Sequence, residues 1–374
     1  MAHRPHVRLD RRQLLELGGF VAAGVLLEGC SGVIRRDVAA EPAGSGALPD
    51  TVVAILHDAA LAPSSHNAQP WRVVVHDPAW WSVHADLGRT LAEVDPAGRE
   101  LRLSLGAFVE NLVTSAGARG LACHVDAATS GHLHLPAAEL RFRAAPHTGY
   151  PLARLVQRCT VRRGLRSAAL PRELVATLLA AAPSAVVFVP GDGPVAASIR
   201  EATIAAFRQQ TDRDPAQREL ARWMHFSNAA ARSHRDGLTT ASMGITGLSG
   251  WFVRNFYDED DVMKSGFRRR SVELACSQVR EAGGWFIVAS RDDHPDSIFD
   301  AGRTYQRLAL LAREHGVGLH PMSQSLEETP YRARLDGVVD VDGVPQFIVR
   351  AGLVDDYPEP MTLRRPVRSF ASLA

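Results

Sequence analysis

Residues 106–120 can be laid on residues 302–316 without a gap, and this internal repeat limits what the chain can fold into more than any other feature. Gly106, Leu112, Ala116 and Gly120 fall on Gly302, Leu308, Ala312 and Gly316 at a constant offset of 196 (302 − 106). Both segments carry apolar residues at helical spacing and run into an apolar strand candidate, so the chain reads as two copies of one helix-strand unit. A second correspondence supports this. Leu61-Ala-Pro-Ser64 precedes an apolar run at 73–75, and Ala182-Pro183-Ser184 precedes another at 185–189.

Around the first copy, residues 50–61 have helical periodicity behind Asp50, which can cap them. Strands are expected at 73–75 and 81–85, joined through Asp77-Pro78, and a helix over 100–119 stopped by Gly120. Further strands are expected at 121–125, 132–135 and 140–144. The chain of 374 residues is long enough for a large core, with 46% hydrophobic and 22% charged residues. A net charge of +1 with mixed signs shows no footprint for nucleic acid. The four cysteines form no C-x-x-C pair, which argues against a disulfide framework or a structural zinc site. Lys264 is the only lysine, so Schiff-base chemistry is set aside.

The first thirty residues have a basic start, an apolar stretch over 14–27 and a Leu-Glu-Gly-Cys30 end, the outline of an export signal. Asp10-Arg11-Arg12 resembles a twin-arginine signal, which implies export of a folded protein to the periplasm, with Cys30 a lipidation candidate. An amphipathic N-terminal helix is the competing reading. Residues 31–47, rich in Ala, Gly and Pro, read as a linker.

The most informative loop lies at 61–70. Pro63 and Pro70 bracket Ser64, Ser65, Asn67 and Gln69, whose hydroxyls and carboxamides suit the polar edge of a planar heterocycle or, alternatively, satisfy their own backbone. The pattern A-P-S-S-x-N-x-Q-P-W-R before an apolar strand resembles the flavin-edge loop of the nitroreductase family. In the second half, Arg158, Thr160 and Arg162 resemble that family's R-x-[ST]-x-R phosphate signature, here placed on the way into a helix; by themselves they could equally be a solvated helix face.

The resemblance implies an α+β nitroreductase-like fold with FMN as cofactor. Ordinary family members are homodimers whose flavin lies between subunits. Here one chain carries the ring-edge loop in its first half and the phosphate arginines in its second, which implies a fused pseudo-dimer of two degenerate halves, as in the Acg-like branch. The resemblance also places Arg364, with Arg365 as a helper, on the phosphate, and Pro321, Met322, Ser323 and Gln324 against the reactive edge of the flavin. Family members often have an acidic residue where Ser323 stands.

Residues 225–264 look like an insertion whose glycines and aromatics suit a lid, or an ordinary loop and helix on the core. The strand at 186–190 followed by Gly191-Asp-Gly193-Pro-Val-Ala196 mimics a dinucleotide fingerprint, but the first copy has the same strand and turn without glycines. The organisation expected is an export signal over 1–30, a linker over 31–47, a first half over 48–145 and a second half over 146–374. The expected function is two-electron transfer through flavin N5 to a small planar acceptor, with no side-chain nucleophile, no metal and no nucleic acid, by a monomer. A non-catalytic flavin-sequestering protein and a cofactor-free surface lipoprotein are the alternatives.

Overall fold

The computed structural model describes residues 34, 48–180, 182, 185–335 and 337–374. The export signal with Cys30, nearly all of the linker, and Pro183-Ser184 of the second Ala-Pro-Ser lie outside the described residues. The first half contains α1 (Asp50–Ala60), β1 (Trp71–Asp77), β2 (Trp80–Ala85), α2 (Arg99–Ala118), β3 (Leu121–Ala127) and β4 (Ala138–Ala144). The second begins with α3 (Ala153–Gln157), α4 (Arg172–Ala180) and β5 (Val186–Pro190). Six helices follow: α5 (Pro194–Asp212), α6 (Asp214–Arg222), α7 (Asn228–His234), α8 (Gly247–Phe256), α9 (Glu259–Val262) and α10 (Ser265–Gln278). The chain closes with β6 (Gly284–Ser290), α11 (Pro295–Glu314), β7 (Val317–Pro321), α12 (Gln324–Glu327), α13 (Thr329–Leu335), β8 (Val344–Leu353) and β9 (Ala371–Leu373).

The repeat is carried into three dimensions. Helices α2 and α11 differ by 196 at both ends (295 − 99 and 314 − 118). The first sheet runs β3-β4-β2-β1 and the second β7-β8-β6-β5, the same order of equivalent strands, each neighbour antiparallel. The two central helices cross at their shared glycines. A Cβ on Gly106 would stand 1.9 Å from the Phe299 carbonyl oxygen, and one on Gly302 would stand 2.1 Å from that of Leu103. No larger residue permits this backbone-to-backbone approach.

Polar pairs along the crossing obey the same pseudo-symmetry. Arg307 donates to Glu110 at 2.9 Å, and at the equivalent positions Gln306 donates to Asn111 at 2.6 Å. Alternation along β1 puts Trp71, Val73 and Val75 into a core with α1 and α2, where Trp71 stacks on Phe108. The second sheet is covered on both faces, by α11 on one and by α5 and α10 on the other, so β6 is buried along its whole length.

Several expectations are corrected. Residues 132–135 form no strand; they belong to a loop in which Leu133 packs against the core and Leu135 is half exposed, because a single anchored side chain cannot hold a sheet edge. The segment 158–163 does not run into a helix: it follows α3, and the next helix starts at Arg172. The insertion is longer than 225–264. A tight turn joins β1 to β2, whereas residues 191–283 separate their equivalents β5 and β6. Strand β9 pairs in parallel with β1, so the end of the chain returns to the first sheet. Strands β5 and β6 are antiparallel, which removes the parallel unit that a dinucleotide fingerprint requires. No helix among the described residues is long and apolar enough to cross a membrane.

Candidate functional site

The loop between α1 and β1 is held in an uncommon backbone conformation. His66, Asn67 and Gln69 have φ of 52°, 52° and 53°, a left-handed region that costs a non-glycine residue about 1–2 kcal/mol each. Such strain persists where surrounding contacts enforce it. Ser64 Oγ accepts from Gln69 N at 2.9 Å, and Asn67 Nδ2 donates to Gly237 O at 3.1 Å and Leu363 O at 3.3 Å. Arg364 Nη1 donates to Asn67 Oδ1 at 2.9 Å. The first half, the insertion and the C-terminal segment therefore meet at this loop.

Two adjoining cavities, of about 390 and 220 Å³, open beside it and share Pro63, Ser64, His66, Thr160, Arg162 and Leu238 in their walls. The smaller is the basic end. Arg158, Arg162 and Arg364 line it with Asn67 and Thr160. Arg158 donates to Leu61 O at 2.9 Å, tying the second half to the end of α1, and Arg364 donates to Ala62 O at 3.1 Å. Arg162 donates to Ser242 O of the insertion at 2.7 Å and takes no carboxylate partner among the described residues. Burial holds its guanidinium below the usual arginine range. A deeply set cation with no carboxylate partner suits a phosphate or another oxyanion.

The larger cavity is the mostly apolar end. Pro63, Ser64 and Ser65 form one wall and Pro321, Met322, Ser323 and Gln324 another. Met243, Val253 and Tyr257 of the insertion also line it. Ser323 Oγ accepts from Ile348 N at 3.2 Å, so this hydroxyl braces the turn after β7. Ser65 Oγ donates to Glu100 at 2.7 Å.

Two expected site residues do not line either cavity. Gln69 is fully buried, its Oε1 accepting from Arg365 N at 2.8 Å and its Nε2 donating to Arg235 O at 2.9 Å. Its positive φ turns the side chain into the C-terminal segment. Arg365 donates to Gln69 O at 2.7 Å and Trp71 O at 3.2 Å and approaches Asp86, so it acts as scaffold rather than as a phosphate ligand. Asn67 lines the basic end rather than the apolar one, because its carboxamide is committed to Gly237, Leu363 and Arg364.

Four residues escaped the sequence reading. His66 lines both cavities, its Nδ1 is buried without a partner among the described residues, and burial with the nearby Arg162 charge pushes its pKa down to about 4. It occupies a variable position of the loop motif, so only the backbone geometry marks it. His320 lines the larger cavity and accepts from Arg350 Nε through Nδ1 at 3.0 Å, which leaves the proton on Nε2. Burial, with the charges of Arg350 and Arg162, holds its imidazolium form far out of reach at neutral pH. Glu100 and Glu327 supply carboxyl groups to the same cavity, at positions that no motif signals.

The sequence model described as "Nitroreductase family" matches residues 155–353. The acg protein of Mycobacterium tuberculosis (strain ATCC 25618 / H37Rv), provisionally named an NAD(P)H nitroreductase, is 23% identical over 344 residues, covering 86% of this chain and 96% of that protein. Among solved structures, a nitroreductase-like family protein from Bacillus cereus shares 16% identity with a TM-score of 0.33, covering 59% of this chain and 94% of its own. The FMN and NADPH-dependent nitroreductase NfnB from sphigopyxis sp. strain HMH shares 20% identity with a TM-score of 0.34, covering 56% and 92%.

Proposed function

This chain belongs to the nitroreductase family, and from that premise we propose that it is an FMN-dependent oxidoreductase. The observation that carries the reading is the meeting of the 63–67 loop of the first half and the 158–162 segment of the second in the walls of adjoining cavities. The basic end fits a monophosphate: Arg158, Arg162 and Arg364 would hold it, with the Thr160 hydroxyl between them. The apolar end would take a planar ring beside the 63–65 and 321–324 segments. Bound flavin supplies two-electron chemistry at N5, while the protein binds, orients and shields it from water.

In this reading the residues around the ring act as binders rather than as nucleophiles, and the acceptor is a small planar molecule entering beneath the insertion. Met243, Val253 and Tyr257 of that insertion supply an apolar cover. The two halves complete one site within one chain, so the working unit is a monomer. The Arg11-Arg12 pair supports export of the folded, loaded protein by the twin-arginine route, with Cys30 as the candidate lipid anchor.

The test is reconstitution. FMN added to the purified chain binds at one equivalent with quenched fluorescence, and the dithionite-reduced protein is reoxidised by a quinone or nitroaromatic. Tight FMN binding without reoxidation favours a flavin store; a chain that takes up no FMN refutes both. Fractionation of cells expressing the chain with Arg11→Lys and Arg12→Lys tests export.

A further inference from the structure

Two carboxyl groups, Glu100 and Glu327, line the larger cavity, and the next residue in the chain, Glu328, adds a third nearby; of the three, Glu100 and Glu328 have cations. Glu100 takes Arg99, and its other oxygen accepts from Ser65 Oγ at 2.7 Å. Glu328 takes Arg213 at 2.7 Å and Gln209 Nε2 at 2.7 Å. Glu327 differs from both. Its Oε2 accepts from the neutral Gln210 Nε2 at 2.6 Å, while Oε1 has no hydrogen-bond partner among the described residues, in a side chain that lines the cavity.

We propose that Glu327 is the proton donor of this cavity, presenting the hydrogen on its otherwise unbonded oxygen to an acceptor bound there. This role rests on the flavin-dependent reading given above. The charged groups packed round Glu327 favour it on balance. Glu100 from α2 and Asp95 before that helix repel a second negative charge, Arg99 opposes them, Glu328 is neutralised by Arg213, and from α5 the neutral Gln210 bonds Glu327 while Gln209 bonds Glu328. Burial foremost, then the Glu100 charge, pushes the Glu327 carboxyl up to about 8, so it is protonated at neutral pH.

Reduction of a quinone to its hydroquinone consumes a hydride equivalent and a proton, and reduced flavin is the hydride source in this reading. Glu327 supplies the other half. Its O–H bond breaks, the electron pair stays on the carboxylate, and the proton forms a new O–H bond on the quinone oxygen that gains the charge. The carboxylate left behind keeps the Gln210 hydrogen bond until solvent returns a proton after product departs.

The experiment uses FMN-loaded protein reduced with dithionite and mixed either with 1,4-naphthoquinone, which takes up protons, or with ferricyanide, which takes electrons alone. Glu327→Gln keeps the shape and removes the acid. It is expected to slow reoxidation by naphthoquinone about 10²-fold or more while leaving ferricyanide unchanged. The wild-type naphthoquinone rate falls above about pH 8, and the variant lacks that fall. In flavin-free protein, infrared difference spectra between about pH 6 and about pH 10 show loss of a carboxylic C=O band that Glu327→Gln lacks. Should Glu327→Gln fail to fold, Gln210→Leu serves. It removes a donor that favours the carboxylate and moves the pH fall upward. Naphthoquinone reoxidation of Glu327→Gln at the wild-type rate, or no such infrared band, overturns the proposal while the functional reading stands. A wild type that takes up no FMN, or is reoxidised by neither acceptor, overturns that reading and this role together.

Discussion

Gly302 lies so close to Leu103 that a β-carbon on it would stand 2.1 Å from the Leu103 carbonyl oxygen, and Gly106 makes the equivalent approach to Phe299. Both contacts are backbone, with no flexible side chain to yield. Gly302→Ala and Gly106→Ala are therefore expected to part α2 from α11, each destabilising the protein by about 3 kcal/mol or more despite the better helix propensity of alanine. Urea unfolding measures this, and a loss below about 1 kcal/mol would show that the crossing can shift.

Arg162 and Arg365 separate a ligand contact from a scaffold contact. Arg162 faces the basic cavity with one bond to a protein carbonyl, whereas Arg365 is spent on Gln69, Trp71 and Asp86. Arg162→Gln is expected to weaken FMN binding at least tenfold, with a stability change of about 1 kcal/mol. Arg365→Gln is expected to do the reverse, lowering stability by about 2–3 kcal/mol. Calorimetric titration with FMN beside thermal unfolding distinguishes them.

His66 titrates near 6.5 when unfolded but is pushed down to about 4 in the fold by burial and by the Arg162 charge. The unfolded chain therefore binds the proton first. The native advantage is complete above about pH 6.5 and is lost as pH falls toward 4, by about 1.4 kcal/mol per pH unit. Glu327, raised to about 8, has the opposite slope, so wild-type stability alone hides the effect. The difference between wild type and His66→Asn isolates it: the variant gains on the wild type as pH drops through this window. Asparagine also tolerates the positive φ at that position. Equal pH slopes would refute the buried, neutral imidazole.

Arg350 is wholly buried and donates to His320 Nδ1, Glu281 O and Arg162 O, among other groups. Arg350→Met leaves those carbonyls unpaired and frees the imidazole to change tautomer. It is expected to cost about 3–5 kcal/mol, and nitrogen NMR of His320 is expected to show Nε2 protonated in the wild type and a mixture in the variant. A mixture already present in the wild type would contradict the assigned bond.

Much of this architecture is legible along the chain because its signals are local or periodic. The 196-residue offset marks both central helices, whose ends in the structure differ by that same number, since a buried crossing needs small residues at fixed intervals. The Pro63 to Pro70 loop and the Arg158 to Arg162 spacing name most of the walls that face each other. The failures have a physical reason too. Gln69 and Arg365 have the chemistry of ligands, but the positive φ at Gln69 aims its side chain at the protein's own C-terminal segment, and Arg365 of that segment bonds back to the loop.

The sequence by itself determined that two related helix-strand units stand in one chain, and that the polar loop survives in one and the arginine signature in the other. Tertiary structure alone decided which of those side chains reach open space, and it placed His66, His320 and Glu327 among them. A residue's neighbours along the chain set its conformation, but its solvent exposure and the charges around it come from segments hundreds of positions away.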